Sequence, residues 1–402
     1  MGYVFSGVRV IDGVGDVALE PMDVVVDGDR IASIAPHAAP RPSDEAPLEV
    51  IDGRGRTLLP GLIDAHAHYT FDPAEGSLPV IARRSDEAIL ATAERHAAIA
   101  LQAGITTARG AGSIRGLEIT LRDRITSGAV PGPRILASGL AVGTPDGHGI
   151  AFGVGASGPA ALAEATLRVI EAGADVVKVV ASEAAMLTTT GHALGRKVFG
   201  RPELTQDEIR AIVEVAHAHG RRVMAHAQDG EAVTRCARAG VDSIEHAWLA
   251  DRRAIEVVAE AGCFLVPTLV VTDVNRTLPG LTPIQRERQD LIERRHRASC
   301  EAAVELGVPL AAGTDTGEVG VTADHVWREI ALLASHGATA PAAIRAATSA
   351  AARLLGVDAE TGSIEVGKLA DLVLVDGDPL ADLGRLASPR LVMLRGEVVN
   401  GS

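Results

Sequence analysis

The chain of 402 residues is long enough for one large domain and a small one, and its formal net charge is −14. This charge offers no basic surface to nucleic acid and disfavours strongly anionic partners, so we expect a small-molecule substrate. Hydrophobic residues make up 47% of the chain but aromatic residues only 2%, which favours an α/β core of Ala, Val, Leu and Ile.

Three zones along the chain differ in periodicity. Residues 1–57 alternate in short strand-like runs, and residues 365–402 return to the same pattern. The two termini are therefore predicted to form one composite β domain, a small β-sandwich. Between them, residues 58–364 alternate short apolar runs with Ala-rich amphipathic helices, as in βα units. Helices of this zone are predicted at 86–104, 159–172, 205–220 and 251–261.

The middle zone contains eight strand-like runs, the number that a closed (β/α)8 TIM barrel requires. These runs lie near Ile63, Thr106, Ile135, Val177, Val223, Ile244, Phe264 and Leu310. Active sites of such barrels lie at the C-terminal ends of the strands, where side chains distant in sequence converge. Functional residues are therefore expected at the ends of these runs.

Candidate metal ligands occupy the ends of predicted strands 1, 4, 5, 6 and 8. They are His66, His68, Lys178, His226, His246 and Asp315. Imidazole nitrogens suit zinc and similar borderline metals, and a carboxylate can both ligate a metal and accept a proton. Each residue alone is a weak signal, because a His-x-His pair or an Asp in a turn is common without a metal. Their repetition at strand ends indicates a hydrolase with two metal ions.

Lys178 is the most discriminating of these residues, because it lies in the apolar run Val-Val-Lys-Val-Val. An unpaired ammonium there would cost much desolvation free energy, so the side chain needs a partner or a change of charge. Reaction with carbon dioxide would give a carbamate, an anionic ligand able to bridge two divalent ions. The alternative is a lysine paired with a nearby carboxylate.

The order His-x-His, Lys, His, His, Asp resembles the binuclear-metal branch of the amidohydrolase superfamily. Residues 351–380 are similar to that superfamily's return into its small β domain. Within the superfamily the chain looks closest to the imidazolonepropionase-like group, which includes prolidase-type dipeptidases, ochratoxin amidohydrolases and molinate hydrolase. The supporting motifs are Gly147-His148-Gly149, Ile244-Glu245-His246-Ala247 and Val266-Pro267-Thr268-Leu269.

The resemblance implies a role for each ligand. One ion would be held by His66, His68 and Asp315, the other by His226 and His246, with carboxylated Lys178 as the bridge. The expected ions are Zn²⁺, with Mn²⁺ or Co²⁺ as alternatives. A metal-bridging hydroxide would attack the substrate carbonyl, and Asp315 would serve as general base and acid. His148 resembles the family histidine that helps to hold the substrate.

Two places depart from the family pattern. Predicted strand 2 ends Thr-Thr-Ala-Arg109-Gly, where relatives commonly show Arg-Asp. The segment that follows Ser182 replaces a small Gly-rich turn and continues to Arg196 and Lys197. Substrate-binding candidates are the polar side chains close to the ligand loops. They are Tyr69, His148, His192 and Arg196, although a solvated charged turn equally explains Arg196 and Lys197.

These features predict a metal-dependent amidohydrolase that cleaves an amide bond in an N-acyl amino acid or dipeptide-like small molecule, peptide bonds included. The alternative is hydrolysis of a neutral carbamate, thiocarbamate or urea, which needs no carboxylate anchor. A deaminase is disfavoured, because mononuclear deaminases resemble a His-x-x-Glu pattern where this chain has Asp229. A non-catalytic homologue would be expected to have lost ligands.

The cysteines and the absence of long apolar stretches bear on the setting of the protein. Cys236, Cys263 and Cys300 are widely spaced and odd in number, which predicts buried free thiols in a reducing compartment. No apolar stretch approaches the roughly 18 residues that a membrane span needs. We therefore expect a cytoplasmic protein without membrane or nucleic-acid partners, and a homo-oligomer.

Overall fold

The computed structural model describes residues 2–37, 48–76, 78–184 and 201–401. Within these ranges the strands are β1 Gly2–Val10, β2 Leu19–Asp27, β3 Arg30–Pro36, β4 Leu48–Asp52, β5 Arg56–Pro60, β6 Leu62–Ala67, β7 Ile105–Gly110, β8 Arg134–Leu136, β9 Ala141–Gly143, β10 Gly153–Gly155, β11 Val176–Val180, β12 Arg222–Asp229, β13 Ser243–Leu249, β14 Phe264–Val266, β15 Leu372–Asp376, β16 Leu391–Leu394 and β17 Glu397–Gly401.

The helices alternate with the middle strands. They are α1 Leu78–Ile81, α2 Asp86–Gln102, α3 Leu117–Thr126, α4 Pro159–Glu171, α5 Gln206–Ala218, α6 Gly230–Ala239, α7 Arg252–Ala261, α8 Leu269–Asn275, α9 Pro283–Glu305, α10 Val326–Ser335, α11 Ala340–Ala346 and α12 Ser349–Leu355. None of the helices in the described ranges combines the length and the apolar character needed to cross a membrane.

One mixed sheet contains strands from both ends of the chain. Its order is β17-β16-β15-β5-β1-β2-β3, and β4 pairs in parallel with β1. The C-terminal strand β15 pairs antiparallel with β5, so that Leu374 lies opposite Leu58. Both leucines belong to a buried cluster with Phe5 and Val24 of the N-terminal strands. The termini therefore form one β-rich domain, while boundaries at 57 and 365 stay a prediction.

The remaining strands are parallel and build the barrel. They form one sheet of β6-β7-β8 and one of β10-β9-β11-β12-β13-β14. Strands 1 to 7 of the barrel are β6, β7, β8, β11, β12, β13 and β14. The two sheets meet where Asp175 N donates to Ala137 O at 2.7 Å, between the ends of β8 and β11. The predicted α/β fold, a (β/α)8 barrel with a small β domain formed by both termini, is confirmed at the level of a β-rich domain whose strands pair in one sheet, whereas its sandwich arrangement stays a prediction.

The eighth barrel strand is shorter than the sequence pattern suggests. Only Leu310 forms a bridge, to Leu265 of β14, and Ala65 of β6 donates its N–H to Ala312 O at 2.9 Å. Pro309 has no N–H to give to a ladder, which limits strand pairing at the start of this segment. We refer to residues 309–312 as the eighth segment. It still joins β14 to β6 and leads into Asp315.

Capping residues explain why the helices begin where the sequence predicts. Thr205 caps α5 by accepting from Glu208 N, while the Glu208 carboxylate accepts from Thr205 N. Asp251 caps α7 by accepting from Ala254 N, and Gly262 ends that helix with a φ of 66°. The four predicted helices correspond to α2, α4, α5 and α7 within about two residues at each end.

The three cysteines are buried and free, as predicted. They are Cys236, Cys263 and Cys300. Burial raises the pKa of each thiol, which keeps all three protonated and unreactive near neutral pH. The cysteines therefore behave as small apolar residues of the barrel. A cytoplasmic setting and a homo-oligomer stay predictions.

Candidate metal centre

The six predicted ligands meet at the C-terminal ends of the barrel strands. His66 lies in β6, Lys178 in β11, His226 in β12 and His246 in β13, whereas His68 follows β6 and Asp315 follows the eighth segment. All six are at least 94% buried, so their polar atoms depend on one another rather than on bulk water. The parallel strands bring together residues that are up to 249 positions apart, from 66 to 315.

The first cluster consists of His66, His68 and Asp315. His66 Nδ1 lies 2.6 Å from Glu245 Oε2, and His68 Nδ1 lies 2.8 Å from Gly112 O. Both partners are acceptors, so a neutral ring carries its proton on Nδ1 and presents a lone pair on Nε2.

The three ligand atoms of this cluster face one another. The two Nε2 atoms lie 3.1 and 3.2 Å from Asp315 Oδ1. Burial lowers the pKa of the His68 imidazole, which favours the neutral ring. Lone pairs that converge in this way repel one another unless a proton or a metal ion lies among them. The donor set, two imidazoles and a carboxylate within 4.8 Å of one another, therefore fits a divalent metal ion.

The second cluster consists of His226 and His246, whose ring centroids are 4.6 Å apart. His246 Nδ1 contacts Thr268 Oγ1 at 2.9 Å, whereas the buried His226 Nε2 has no hydrogen-bond partner among the described residues. Burial lowers the pKa of both imidazoles well below the usual range, so both are neutral. A buried nitrogen without a partner costs about 1–3 kcal/mol, which a bound metal would offset. These rings fit a second ion.

Lys178 lies between the two clusters and is 1% exposed. Its Nζ atom is 3.5 Å from His66 Nε2, and it forms no ion pair with a carboxylate of the described residues. The alternative of a lysine paired with a carboxylate is therefore not what the described structure contains. Burial lowers the pKa of the ammonium to about 8, which makes the neutral amine accessible near physiological pH.

Asp315 is ionised despite its burial. Desolvation would raise the pKa of its carboxyl group, but in the absence of a metal ion the charge of His66 and hydrogen bonds from His66 and His68 outweigh that effect and hold the pKa well below its usual range. Its Oδ1 atom faces the first cluster, while Oδ2 lies 3.8 Å from His246 Nδ1. The carboxylate therefore faces both clusters.

Backbone strain marks the same strand ends. His246, Thr268 and Asp315 have φ angles of 75°, 55° and 58°, a left-handed conformation that residues other than glycine rarely adopt. Such strain costs about 1–3 kcal/mol per residue and is concentrated at functional sites. Two of these residues are predicted ligands, and the third orients the ring of His246.

A cavity opens above the ligands and has both aromatic and polar walls. Its lining consists of His68, Phe71, Leu78, His148, Phe152, Lys178, His226, Gln228, His246, Trp248, Asp315 and Glu318. Phe71 stacks on His68 with ring centroids 4.3 Å apart, so one wall of the cavity also supports a ligand. Glu318 is the lining carboxylate that is not a predicted ligand. Burial and the charge of Asp315 raise its pKa to about 8.

The structure places the predicted substrate-binding residues in different surroundings. His148 lines the cavity, where its ring centroid lies 5.1 Å from that of His226 and its backbone N–H donates to Glu203 Oε1. Tyr69 is 1% exposed and lies in the barrel core rather than in the lining of the cavity. His192 and Arg196 lie outside the described residues. Substrate roles for all four stay predictions.

Two buried residues that the sequence analysis did not assign contact the centre. Glu245 accepts from His66 Nδ1 and from Arg109 Nη2, and each of these two residues is at most 1% exposed. Burial would raise the pKa of Glu245, but the Arg109 guanidinium and the His66 bond lower it to about 2. The apolar run around Lys178 singled out its charge, whereas Arg109 follows Thr-Thr-Ala and Glu245 follows Asp-Ser-Ile, so no apolar run marks these two charges.

Comparison with known proteins agrees with this geometry. A profile of the amidohydrolase family matches residues 57–399. The chain belongs to the amidohydrolase family. It is a hydrolytic enzyme that acts on C–N bonds, and the predicted superfamily and group are confirmed.

Individual relatives of this amidohydrolase cover most of its length. Ochratoxinase from Aspergillus niger is 28% identical over 370 residues, which span 83% of this chain and 73% of that protein. The crystal structure of a Xaa-Pro dipeptidase with methionine bound in its active site has a TM-score of 0.87 at 29% identity over both whole chains. That of a prolidase complexed with N-methylphosphonate-L-proline has a TM-score of 0.86 at 31% identity, again over both whole chains.

Proposed function

We propose that this amidohydrolase cleaves an amide bond in a dipeptide-like small molecule or N-acyl amino acid, with two divalent ions as cofactors. The observation that carries the proposal is the convergence of two clusters of imidazoles on one carboxylate, Asp315, and one buried amine, Lys178. Support for the substrate class comes from the relatives named for dipeptide hydrolysis, whose bound ligands are an amino acid and a proline derivative.

The ions are assigned to the two clusters by their donors. Zinc suits these nitrogen and oxygen ligands, and manganese or cobalt can occupy similar sites. The first ion would be held by His66, His68 and Asp315, and the second by His226 and His246. Ions bound there would lower the pKa of bound water and polarise the scissile carbonyl at neutral pH.

Lys178 is proposed to carry a carbamate. Its neutral amine would attack carbon dioxide, so that an N–C bond forms and a proton leaves to solvent. The product is an anion with two oxygens, and it would contribute negative charge beside two clusters of imidazole ligands. The lowered pKa of the amine supports this reaction, as does the absence of a carboxylate partner among the described residues.

Asp315 is proposed to move the proton. Its Oδ1 atom faces the first cluster, which leaves Oδ2 to accept a proton from the attacking water. The same carboxyl group would then donate that proton to the leaving nitrogen, and it would return to its ionised form after each turnover. His148 lies beside His226 in the cavity, where its ring could hold the substrate carbonyl or carboxylate.

A matched substrate series tests this function. The zinc-loaded protein would be assayed with N-acyl amino acids, dipeptides, their carboxyl-blocked amides and neutral carbamates, beside a chelated sample as control. We expect turnover only of compounds with a free carboxylate, and none after chelation. Turnover of blocked or neutral compounds instead would favour carbamate or urea hydrolysis. If zinc, manganese and cobalt forms all leave every compound intact, the proposal is wrong.

A further inference from the structure

A buried ion pair crosses the barrel beneath the first cluster. Arg109 of β7 donates from Nη2 to Glu245 Oε1 of β13 at 3.0 Å, and neither side chain is more than 1% exposed. Ser243 joins the pair, because its hydroxyl accepts from Arg109 Nη1 at 3.0 Å and donates to Glu245 Oε1. Oε1 is therefore occupied by two donors. The other carboxylate oxygen, Oε2, is left for a third donor.

That third donor is His66. Its Nδ1 atom lies 2.6 Å from Glu245 Oε2, and Arg109 Nε also donates to Ala65 O at 2.7 Å. The pair thus holds both the ring of His66 and the backbone next to it. With the proton of the ring fixed on Nδ1, the lone pair on Nε2 points to Asp315.

The other histidines of the centre have uncharged partners. His68 Nδ1 contacts the carbonyl of Gly112, and His246 Nδ1 contacts the hydroxyl of Thr268. A hydrogen bond to a charged partner is stronger and shorter than one to a neutral partner, in accord with the 2.6 Å distance from His66 Nδ1 to Glu245 Oε2. Stabilisation of the fold does not explain the presence of this ion pair well, because replacing a buried ion pair by apolar residues is often neutral or stabilising.

We propose that Arg109 and Glu245 are positioning residues that fix the tautomer and orientation of His66 for metal binding. The inference rests on the metal centre of the proposed function. It predicts that removing the charge of Glu245, the acceptor for His66 Nδ1, lowers the affinity for the first ion more than that for the second. Outer partners of metal-bound histidines contribute about 10- to 100-fold to metal affinity.

Glu245→Gln is the first variant. Three donors surround the two oxygens of Glu245, but an amide offers only one oxygen, so one donor must face its NH₂ group. We expect a 10- to 100-fold loss of affinity for one of two ions, measured by chelator competition and by metal per chain. The visible spectrum of the cobalt form should also change.

Glu118→Gln is the matched control. Glu118 is also fully buried and accepts from Ser138 N at 3.2 Å, but it contacts no predicted ligand. Its metal content and cobalt spectrum should match those of the wild type. An equal loss of metal in both variants would mean that replacing any buried carboxyl group by an amide disturbs the centre, and would overturn the proposal.

Two double variants separate positioning from charge balance. Arg109→Met combined with Glu245→Gln leaves an amide oxygen free to accept from His66 Nδ1, whereas Arg109→Met combined with Glu245→Leu leaves no acceptor. Neither variant contains an unpaired buried charge from the pair. We expect the Leu form to bind the first ion at least tenfold more weakly than the Gln form, with similar thermal unfolding of the chelated proteins.

Each outcome decides the question. Equal metal affinity of the two double variants would overturn the proposal, as would the failure of both to fold. A wild-type protein that binds no ion would overturn it together with the metal centre. A wild type that binds two ions but hydrolyses none of the tested compounds would count only against the proposed substrates, because metal content is measured without turnover.

Discussion

Lys178 is the single residue on which the two-ion interpretation depends. The side chain is 1% exposed, reaches His66 Nε2 at 3.5 Å, and lines the same cavity as His226 and His246. As an ammonium it would repel divalent ions held by the two clusters. As a carbamate it would attract both.

Lys178→Ala should therefore lower metal content below two ions per chain. We expect activity to fall roughly 100-fold or more, since even outer partners of metal ligands cost about 10- to 100-fold. A carbamate signal from ¹³C-bicarbonate in the NMR spectrum of the wild type should be missing from the variant. Full metal content and activity in the Ala variant would show that no bridging carbamate is needed.

Asp315→Asn isolates proton transfer from metal binding. An amide keeps one oxygen to face the two Nε2 atoms, which lie 3.1 and 3.2 Å from Oδ1, but it cannot accept a proton as a base. We expect kcat to fall about 10²- to 10⁴-fold with a smaller change in KM. Metal content would be measured on the same samples. Turnover of the Asn variant at the parent rate would rule out the proton-transfer role.

How far the sequence predicted the site depends on the residue. The six ligands could be predicted because each lies within or at the end of an apolar run, and the structure brings them together. Glu245 and Arg109 lie in runs that contain Ser and Thr rather than in apolar runs, so their charges did not stand out, and their pairing across the barrel is a tertiary contact. The cavity walls formed by Phe71 and Trp248 had no local signal, because a lone aromatic residue reads equally as core.

At the scale of the element, the chain passes very close to β6 immediately after the eighth segment. A Cβ atom on Gly313 would lie 2.7 Å from His66 Cβ, 3.1 Å from His66 N and 2.5 Å from Val266 Cγ1. Only glycine allows this approach, which sets the distance between the strands that carry His66 and Asp315.

Gly313→Ala should therefore weaken both the fold and the metal centre. We expect a loss of about 1–3 kcal/mol in the free energy of unfolding, as for other overpacked cores, together with weaker metal binding. Gly230→Ala is a suitable control, because its Cβ would meet Ala254 Cβ at an ordinary 3.5 Å. Urea unfolding and metal titration of both variants would check this. Equal behaviour of the two would mean that β6 adjusts without cost.

Elements were predictable where a local signal defines them. The caps Thr205 and Asp251 placed the starts of α5 and α7. The strands β9 and β10, which flank the segment that carries His148, were not predicted. They are three residues each and include Gly143, Gly153 and Gly155, so they lack the β-branched alternation that marks a strand, and their pairing comes from tertiary contacts.

At the scale of the whole molecule, buried acids make stability depend on pH. Glu118 of α3 lies against Gly110, where its carboxyl group is fully buried, and burial raises its pKa from 4.5 to about 8. Between these values the unfolded chain has released this proton while the folded chain still holds it. The contribution of Glu118 to the free energy of unfolding of the metal-free protein should therefore fall as pH rises from about 5 to about 8.

Glu118→Gln should remove this part of the pH dependence, because an amide imitates the protonated carboxyl group and does not titrate. Relative to the wild type, we expect the variant to gain on the order of 2 kcal/mol or more between pH 5 and pH 8. The exposed Glu171→Gln should show no such gain. Urea unfolding of the chelated proteins at both pH values gives the comparison. A difference in the free energy of unfolding between Glu118→Gln and the wild type that stays constant with pH would mean that Glu118 ionises alike in the folded and unfolded chains. The pH dependence would then arise from other buried acids such as Glu329, whose pKa burial also raises to about 8.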